Sequence, residues 1–425
     1  MTDFLFKNIR LLDPASGLDQ PGELLVRDGK IADLGASLGR TDGVEALDGE
    51  GAVLCPGLVD MRAELGEPGA EYRETIASAA MAAAAGGITT LAALPNTMPA
   101  IDDPSMVRLL RARGEETGSL TILPYGAVTK GCHGEELAEL GLLREAGAVA
   151  FTDGTQAIAA SRMMKLALSY AAGFGARVVQ HPEDPSLASG GAATQGELAT
   201  RLGLPGIPEA AEAILVARDI ALVRLTGGSV HFAHVSTGEA LELIRRAKAD
   251  GLSVTCDTAP PYFDLNETAI GDFRTYAKLS PPLRKDSDRL AVCAALADGT
   301  IDAVASDHQP RDADDKRLPF AQASAGGTGL VTLLAVTLAQ VHGNNLPLAQ
   351  AIRLMTSGPA ALLGSDAGTL AKGAEADLCL FQLDRAWQVE AGALPGKAQN
   401  TPFDGRALEG KVIGTWKAGR RVFGA

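Results

Sequence analysis

SVHFAHVSTGEALELIRRAKADGLSVTCD (229–257) decides how the rest of the chain is read. It opens on a short apolar run, SVHFAH, passes through a Ser-Thr-Gly turn into a helical stretch over 237–250, and closes on a second apolar run, LSVTCD. Strand, helix and parallel strand in that order make one βα unit, and a right-handed crossover must carry the chain back to the sheet. The same texture extends in both directions. Strand-like runs recur at VLCPGLVD (53–60), ITTLAAL (88–94), LTILPYGAV (120–128), AVAFTD (148–153), ARVVQH (176–181) and IDAVASD (301–307). Further helical stretches fall at 104–116, 160–174 and 208–225, and AMAAAAGG (80–87) reads as the end of the first barrel helix. Eight such units in one run predict a closed parallel (β/α)₈ barrel of the TIM type.

The two chain ends read differently. LFKNIRLLDP and ELLVRDGKIADLG near the start, and ADLCLFQLD and KVIGTWKAGRRVF near the finish, are short runs broken by Gly, Pro and Asp, which suits hairpins. The expected organisation is an α/β protein with a barrel domain over 55–360 and a small β-sandwich built from both ends, 1–54 with 361–425. A length of 425 residues suits a barrel plus one smaller domain.

Composition narrows the function classes. Aromatic residues are only 4%, so Ala, Leu, Val and Ile must fill the core. A net charge of −14 argues against nucleic acid as the main partner. No apolar stretch reaches the ~18 residues of a membrane span, and no secretory leader is expected at the N-terminus. The five cysteines are scattered, without CxxC spacing, and read as reduced thiols of a cytoplasmic protein.

In a barrel of this type, chemistry sits at the C-terminal ends of the strands. The first strand is read as ending at Asp60, with Arg62 and Glu64 just beyond. The fourth ends at Asp153, the fifth at His181, the sixth at His234 and the eighth at Asp307, followed by His308. Two of only six histidines thus close consecutive strands, and imidazoles beside carboxylates supply the N and O donors that zinc takes. His231 is read as structural, because three residues from His234 it faces the other side of the strand. His133 and His342 are placed on surface segments.

PGLVDMRAELGEPG (56–69), GGITTLAALPNTMP (86–99), GAVTKG (126–131), GAVAFTDG (147–154), HVSTGEAL (234–241), SPPLR (280–284), SDHQP (306–310), TSGPAALLG (356–364) and KGAEADLCLF (372–381) fall in one order across nearly the whole chain. Together they resemble the long-chain dihydroorotases of the amidohydrolase superfamily, which often partner aspartate carbamoyltransferase. The resemblance implies zinc, a catalytic general acid/base at Asp307, substrate contacts at Asn96, Ser280 and Arg311, and metal ligands at Asp153, His181 and His234. It also exposes departures. The family's His-x-His after the first strand is Arg62-x-Glu64, the Arg that binds the substrate carboxylate is Gly66, and the Asn of NPPLR is Ser280. The Ala and the second His of DHAPH are Gln309 and Arg311, and a substrate-loop Phe is Ala325.

A guanidinium keeps its proton and has no lone pair for a metal. Arg62 is therefore expected to replace the ion, pairing with Asp153 or Asp307, while Arg311 offsets Glu64. Each lost charged hydrogen bond to substrate costs about 1.5–3 kcal/mol, so two would weaken binding by roughly two to four powers of ten. The leading expectation is a catalytically impaired dihydroorotase homologue that acts as a structural subunit with aspartate carbamoyltransferase, in a homo- or hetero-oligomer. The alternatives are a hydrolase of cyclic amides using a single zinc at Asp153, His181 and His234, or a sensor that binds an anion through Arg62, Asn96 and Arg311.

Overall fold

The structure is a computed structural model that describes residues 3–39 and 43–424. Seven of the eight barrel positions are hydrogen-bonded strands: Leu58–Ala63, Ile88–Ala93, Thr121–Pro124, Arg177–Gln180, Ser229–Phe232, Val254–Thr258 and Ala303–Val304. The first three form one parallel sheet and the last four another. The fourth position, read as the strand AVAFTD, is extended chain held by parallel bridges from Phe151 to Gly126 on one side and to Val178 on the other. Its ladder is too short to count as a strand, yet it joins the two sheets, and a bridge from Ala63 to His308 closes the ring.

Alternation along the strands explains both layers. Side chains pointing inward, among them Val59, Met61, Ala92, Tyr125, Ala150, Val179, Ala233, Ala303 and Ala305, pack together as the barrel interior. Their neighbours Leu58, Leu91, Ile122, Phe151, Val178, Val230, Phe232, Val254 and Val304 point outward into the layer under the helices. Five of these nine are alanine, and the larger Val59, Met61, Tyr125 and Val179 fill the remaining space. The Tyr125 hydroxyl donates to the Met61 carbonyl at 2.8 Å.

One helix follows each strand position: Ile76–Ala85, Pro104–Thr117, Leu140–Ala146, Ser161–Ala172, Ala210–Thr226, Gly238–Ala249, Asp286–Asp298 and Leu333–His342. Their starts are written locally. Thr75 and Ser78 form a capping box, Asp103 precedes a Pro at the first helical position, and the Thr237 hydroxyl accepts from the Ala240 N–H.

The chain ends join in one eight-stranded sheet. Phe4–Asp13, Leu18–Arg27, Lys30–Gly35, Glu45–Asp48 and Val53–Pro56 come from the start, and Leu378–Gln388, Ala407–Lys417 and Arg420–Phe423 from the finish. The Phe6 and Trp416 rings lie 4.9 Å apart although two strands separate theirs in the hydrogen-bonded order. A flat sheet would hold them about 14 Å apart at ~4.8 Å per strand, so the sheet curls over its own core of Phe4, Phe6, Leu24, Leu54, Leu378 and Trp416. Its other face, through Cys55, Cys379, Phe381 and Val412, merges with the barrel's helical layer.

Candidate functional site: the barrel mouth

Arg62 lies within the first strand, which runs to Ala63 and so continues past the expected end at Asp60. Asp60 is spent on structure: it accepts from the Ser306 N–H at 2.9 Å and from the Ser306 hydroxyl, tying the first strand to the eighth. Arg62 points into the mouth and is 1% exposed. Its Nε donates to Asp307 Oδ1 at 2.8 Å and its Nη2 to the Gly154 carbonyl at 3.2 Å. Its Nη1 is buried without a hydrogen-bond partner. Burial pushes the Asp307 carboxyl up to about 6 against the pull of Arg62 and of Gln309, whose Nε2 donates to the same oxygen at 2.9 Å.

Of the two carboxylates open to Arg62 in the sequence, Asp307 is the one that pairs. Asp153 is taken by its own neighbourhood: it accepts from the N–H groups of Val128 and Thr129 at 3.0 and 2.9 Å, and from the Thr129 hydroxyl at 2.6 Å. Burial still raises its pKa, with those bonds in opposition.

Glu64 and Arg311 form a second, half-buried pair at 2.5 Å, and Asn96 donates to the other oxygen of the carboxylate at 2.9 Å. Burial works against the Glu64 charge, but Arg311 and Asn96 outweigh it and hold its pKa below the ordinary glutamate value. Arg311 also donates to the Ala325 carbonyl at 2.8 Å. Asn400 braces the same segment through the Arg311 N–H and the Gln309 and Gly326 carbonyls. The Ser280 hydroxyl donates to Glu183 at 3.1 Å.

Across the mouth, His181 Nδ1 and His234 Nε2 stand 3.0 Å apart. Burial, then the charge of Arg62, pulls His181 down to about 3 and His234 well below its ordinary value, so both rings are neutral. His234 and Asp307 both sit at positive φ, 40° and 47°, a conformation that costs a non-glycine residue free energy and clusters at functional sites. His231 keeps to structure, bonded to Asp257 at 2.8 Å. His133 is exposed, and His342 is half-buried 3.7 Å from Glu409.

The donors present do not fit a metal pair. One expected ligand position is a guanidinium, another is Glu64 already bound to Arg311, and Asp153 is turned to Thr129. Among the described residues no three His, Cys, Asp or Glu side chains converge as a metal-holding group. What converges is one neutral imidazole pair beside two ion pairs.

The loop between Leu65 and Thr75 packs closely on itself at Gly66. Gly66 is at φ +71°, where a Cβ would stand 2.4 Å from the Glu74 carbonyl oxygen. An arginine side chain has no place there without moving the backbone.

Several residues at the mouth carried no role in the sequence reading. Glu212 is fully buried and gathers the N–H and hydroxyl groups of Ser236 and Thr237, with Arg284 at 3.5 Å. Both Nη atoms of Arg284 lack hydrogen-bond partners. Glu183 stands 3.9 Å from His181 Nε2, with its pKa raised by burial. One signal for Glu212 was in the sequence: its helix, AAEAILVARDIALVRLT, is apolar nearly all round, so a polar residue on it is not automatically a surface one.

The comparisons with known proteins bear on family and fold. Residues 51–240 match the family described as Dihydro-orotase-like, and residues 286–423 match the Amidohydrolase family. A dihydroorotase from Pelobacter propionicus is 44% identical over 99% of each chain. Another from Citrifermentans bemidjiense is 42% identical over the whole of both. Among solved structures, the L-hydantoinase (dihydropyrimidinase) from Arthrobacter aurescens superposes with a TM-score of 0.88 at 26% identity, over 100% of this chain and 96% of that one. The dihydropyrimidinase from Brevibacillus agri, at TM-score 0.86 and 22% identity over 100% and 95%, shares the fold. The chain therefore belongs to the dihydroorotase family of the amidohydrolases.

Proposed function

We propose that this chain is a catalytically impaired dihydroorotase homologue of pyrimidine biosynthesis that serves as a structural partner of aspartate carbamoyltransferase. The observation that carries the impairment is the buried Arg62–Asp307 pair at 2.8 Å. A hydrolase of this kind needs Asp307 free to move a proton and an activated water in front of it. Here the carboxylate already serves a fixed cation, and that cation repels any second one brought near. The Glu64–Arg311 pair uses up a further substrate-side position. The partnership rests on the family resemblance and on a fold that is kept while the mouth is spent, since a barrel's packing does not depend on its active site.

The test uses the purified full chain supplied with zinc. The expected result is no hydrolysis of dihydroorotate above background, together with co-purification of aspartate carbamoyltransferase. Measurable turnover overturns the impairment, and failure to associate overturns the partnership. The double variant Arg62→His/Glu64→His is the positive arm, and zinc uptake by it alone ties the loss to those two positions.

One observation favours a second reading, a hydrolase using a single metal. His181 and His234 are neutral and face each other, which is the protonation state a ligand requires. Stoichiometric zinc in the unaltered protein, with turnover, would select it.

A further inference from the structure

Two of the five cysteines, far apart in sequence, are brought face to face. Cys55 lies on Val53–Pro56 and Cys379 on Leu378–Gln388, and these antiparallel strands set the two residues directly opposite each other. Two places along the same ladder, the Gly57 N–H donates to the Asp377 carbonyl at 2.8 Å. Hydrogen-bonded pairs alternate along an antiparallel ladder, so Cys55 and Cys379 are again such a pair, with Cα atoms about 5.5 Å apart. Disulfides span Cα separations of about 4.4–6.8 Å and are commonest near 5.5–6 Å. Directly opposite residues also send their side chains to the same face. Burial pushes the Cys55 thiol well up, and Cys379 beside it adds to the rise. Both residues are 0% exposed. The Cys379 sulfur lies against Gly87, where a Cβ would meet it at 2.4 Å, so the pair sits where the sheet meets the barrel.

We propose that Cys55 and Cys379 form a disulfide when the chain folds in the presence of a small-molecule disulfide, clasping together the two strands through which the chain enters and leaves the barrel. All eight strand positions and their helices lie between these two residues. In the exchange, the thiolate of one cysteine attacks the small disulfide, forming a mixed disulfide and releasing one thiol. The thiolate of the other then attacks the protein sulfur, the Cys55–Cys379 bond forms, and the second thiol leaves. The two protons lost by the cysteines pass to the two released thiolates, and the small disulfide is the species reduced. In the folded chain neither sulfur meets solvent, so the exchange belongs to folding, and the finished bond is shielded from reduction.

The experiment refolds the full chain in a buffer of oxidised and reduced glutathione, traps free thiols by alkylation and maps the non-reducing digest by mass spectrometry. The expected product is one cross-linked peptide joining Cys55 to Cys379, with Cys132, Cys256 and Cys293 alkylated. The cross-linked protein should melt several degrees above its reduced form, and the difference should vanish in Cys55→Ala and in Cys379→Ala. It should resist reduced glutathione until denaturant is added. Recovery of both residues as alkylated thiols after oxidative refolding overturns the proposal, as does a bond from either of them to another cysteine.

Discussion

On one side of the barrel mouth, the first and eighth strands bring Arg62, Glu64, Asp307 and Arg311 into two ion pairs, at 2.8 and 2.5 Å. On the other, the fifth and sixth bring His181 and His234 together at 3.0 Å as uncharged rings. The first side pairs its carboxylates with protein cations. The second still has the donor chemistry of the family but lacks a third ligand. On the proposed reading, the contrast teaches how a mouth of this kind would lose function, by charge compensation. An arginine that supplies the missing positive charge lets the surrounding carboxylates stay buried, and the fold tolerates the change.

The largest expected effect strikes the first side. Arg62→Met leaves Asp307 buried with no cation, which should cost about 3–5 kcal/mol in denaturant unfolding. Adding Asp307→Asn should recover a large part of that loss. An additive result in the double-mutant cycle would break the claim that the two act as a pair.

Next comes the segment that overlies this side. Lys316 is buried, and burial brings its pKa down to about 7; its ammonium donates to the carbonyls of Thr275, Lys278 and Ser324. Its folded pKa lies below its unfolded one, so the unfolded chain holds more protons between about pH 7 and 10. This group's contribution to stability therefore rises across that window, by up to a few kcal/mol, and is absent below it. Comparing urea midpoints of the unaltered chain and Lys316→Met at pH 7 and pH 9.5 reads the difference; equal slopes would refute it.

A smaller effect is expected at the second pair. Glu64→Gln removes the charge facing Arg311 at a site that is only partly buried and should cost about 1–3 kcal/mol. Dihydroorotate hydrolysis should stay at background in this variant, because Arg62 still holds Asp307. Gly66→Ala should cost at least about 1–2 kcal/mol for a side chain forced into the left-handed region, with the close approach of its Cβ to the Glu74 carbonyl adding to that. A neutral Gly66→Ala would show that the loop is looser than its close approach to Glu74 implies.

Much of this was legible in the sequence, and the reasons are local. Strand runs ending in Asp153, His181, His234 and Asp307 were visible because a barrel repeats one short pattern, and the four helical stretches read at 104–116, 160–174, 208–225 and 237–250 end within two residues of the helices. The weak fourth strand was not visible, since AVAFTD has the composition of a full strand although only Phe151 is bridged to its neighbours. Nor was the choice of Asp307 over Asp153, which turns on the Thr129 hydroxyl and two backbone N–H groups from another loop. The joining of both chain ends in one β-structure was legible from their hairpin-like runs; the close meeting of Phe6 and Trp416 was not, because it depends on a curl across the length of the chain.

Anomalous scattering at the zinc edge, from crystals grown with excess zinc and with dihydroorotate, tests the central claim most directly. The account predicts no zinc peak beside Asp307 and an Arg62 guanidinium still bonded to that carboxylate. Zinc bound between Asp307 and the two histidines, with Arg62 turned away, would contradict it.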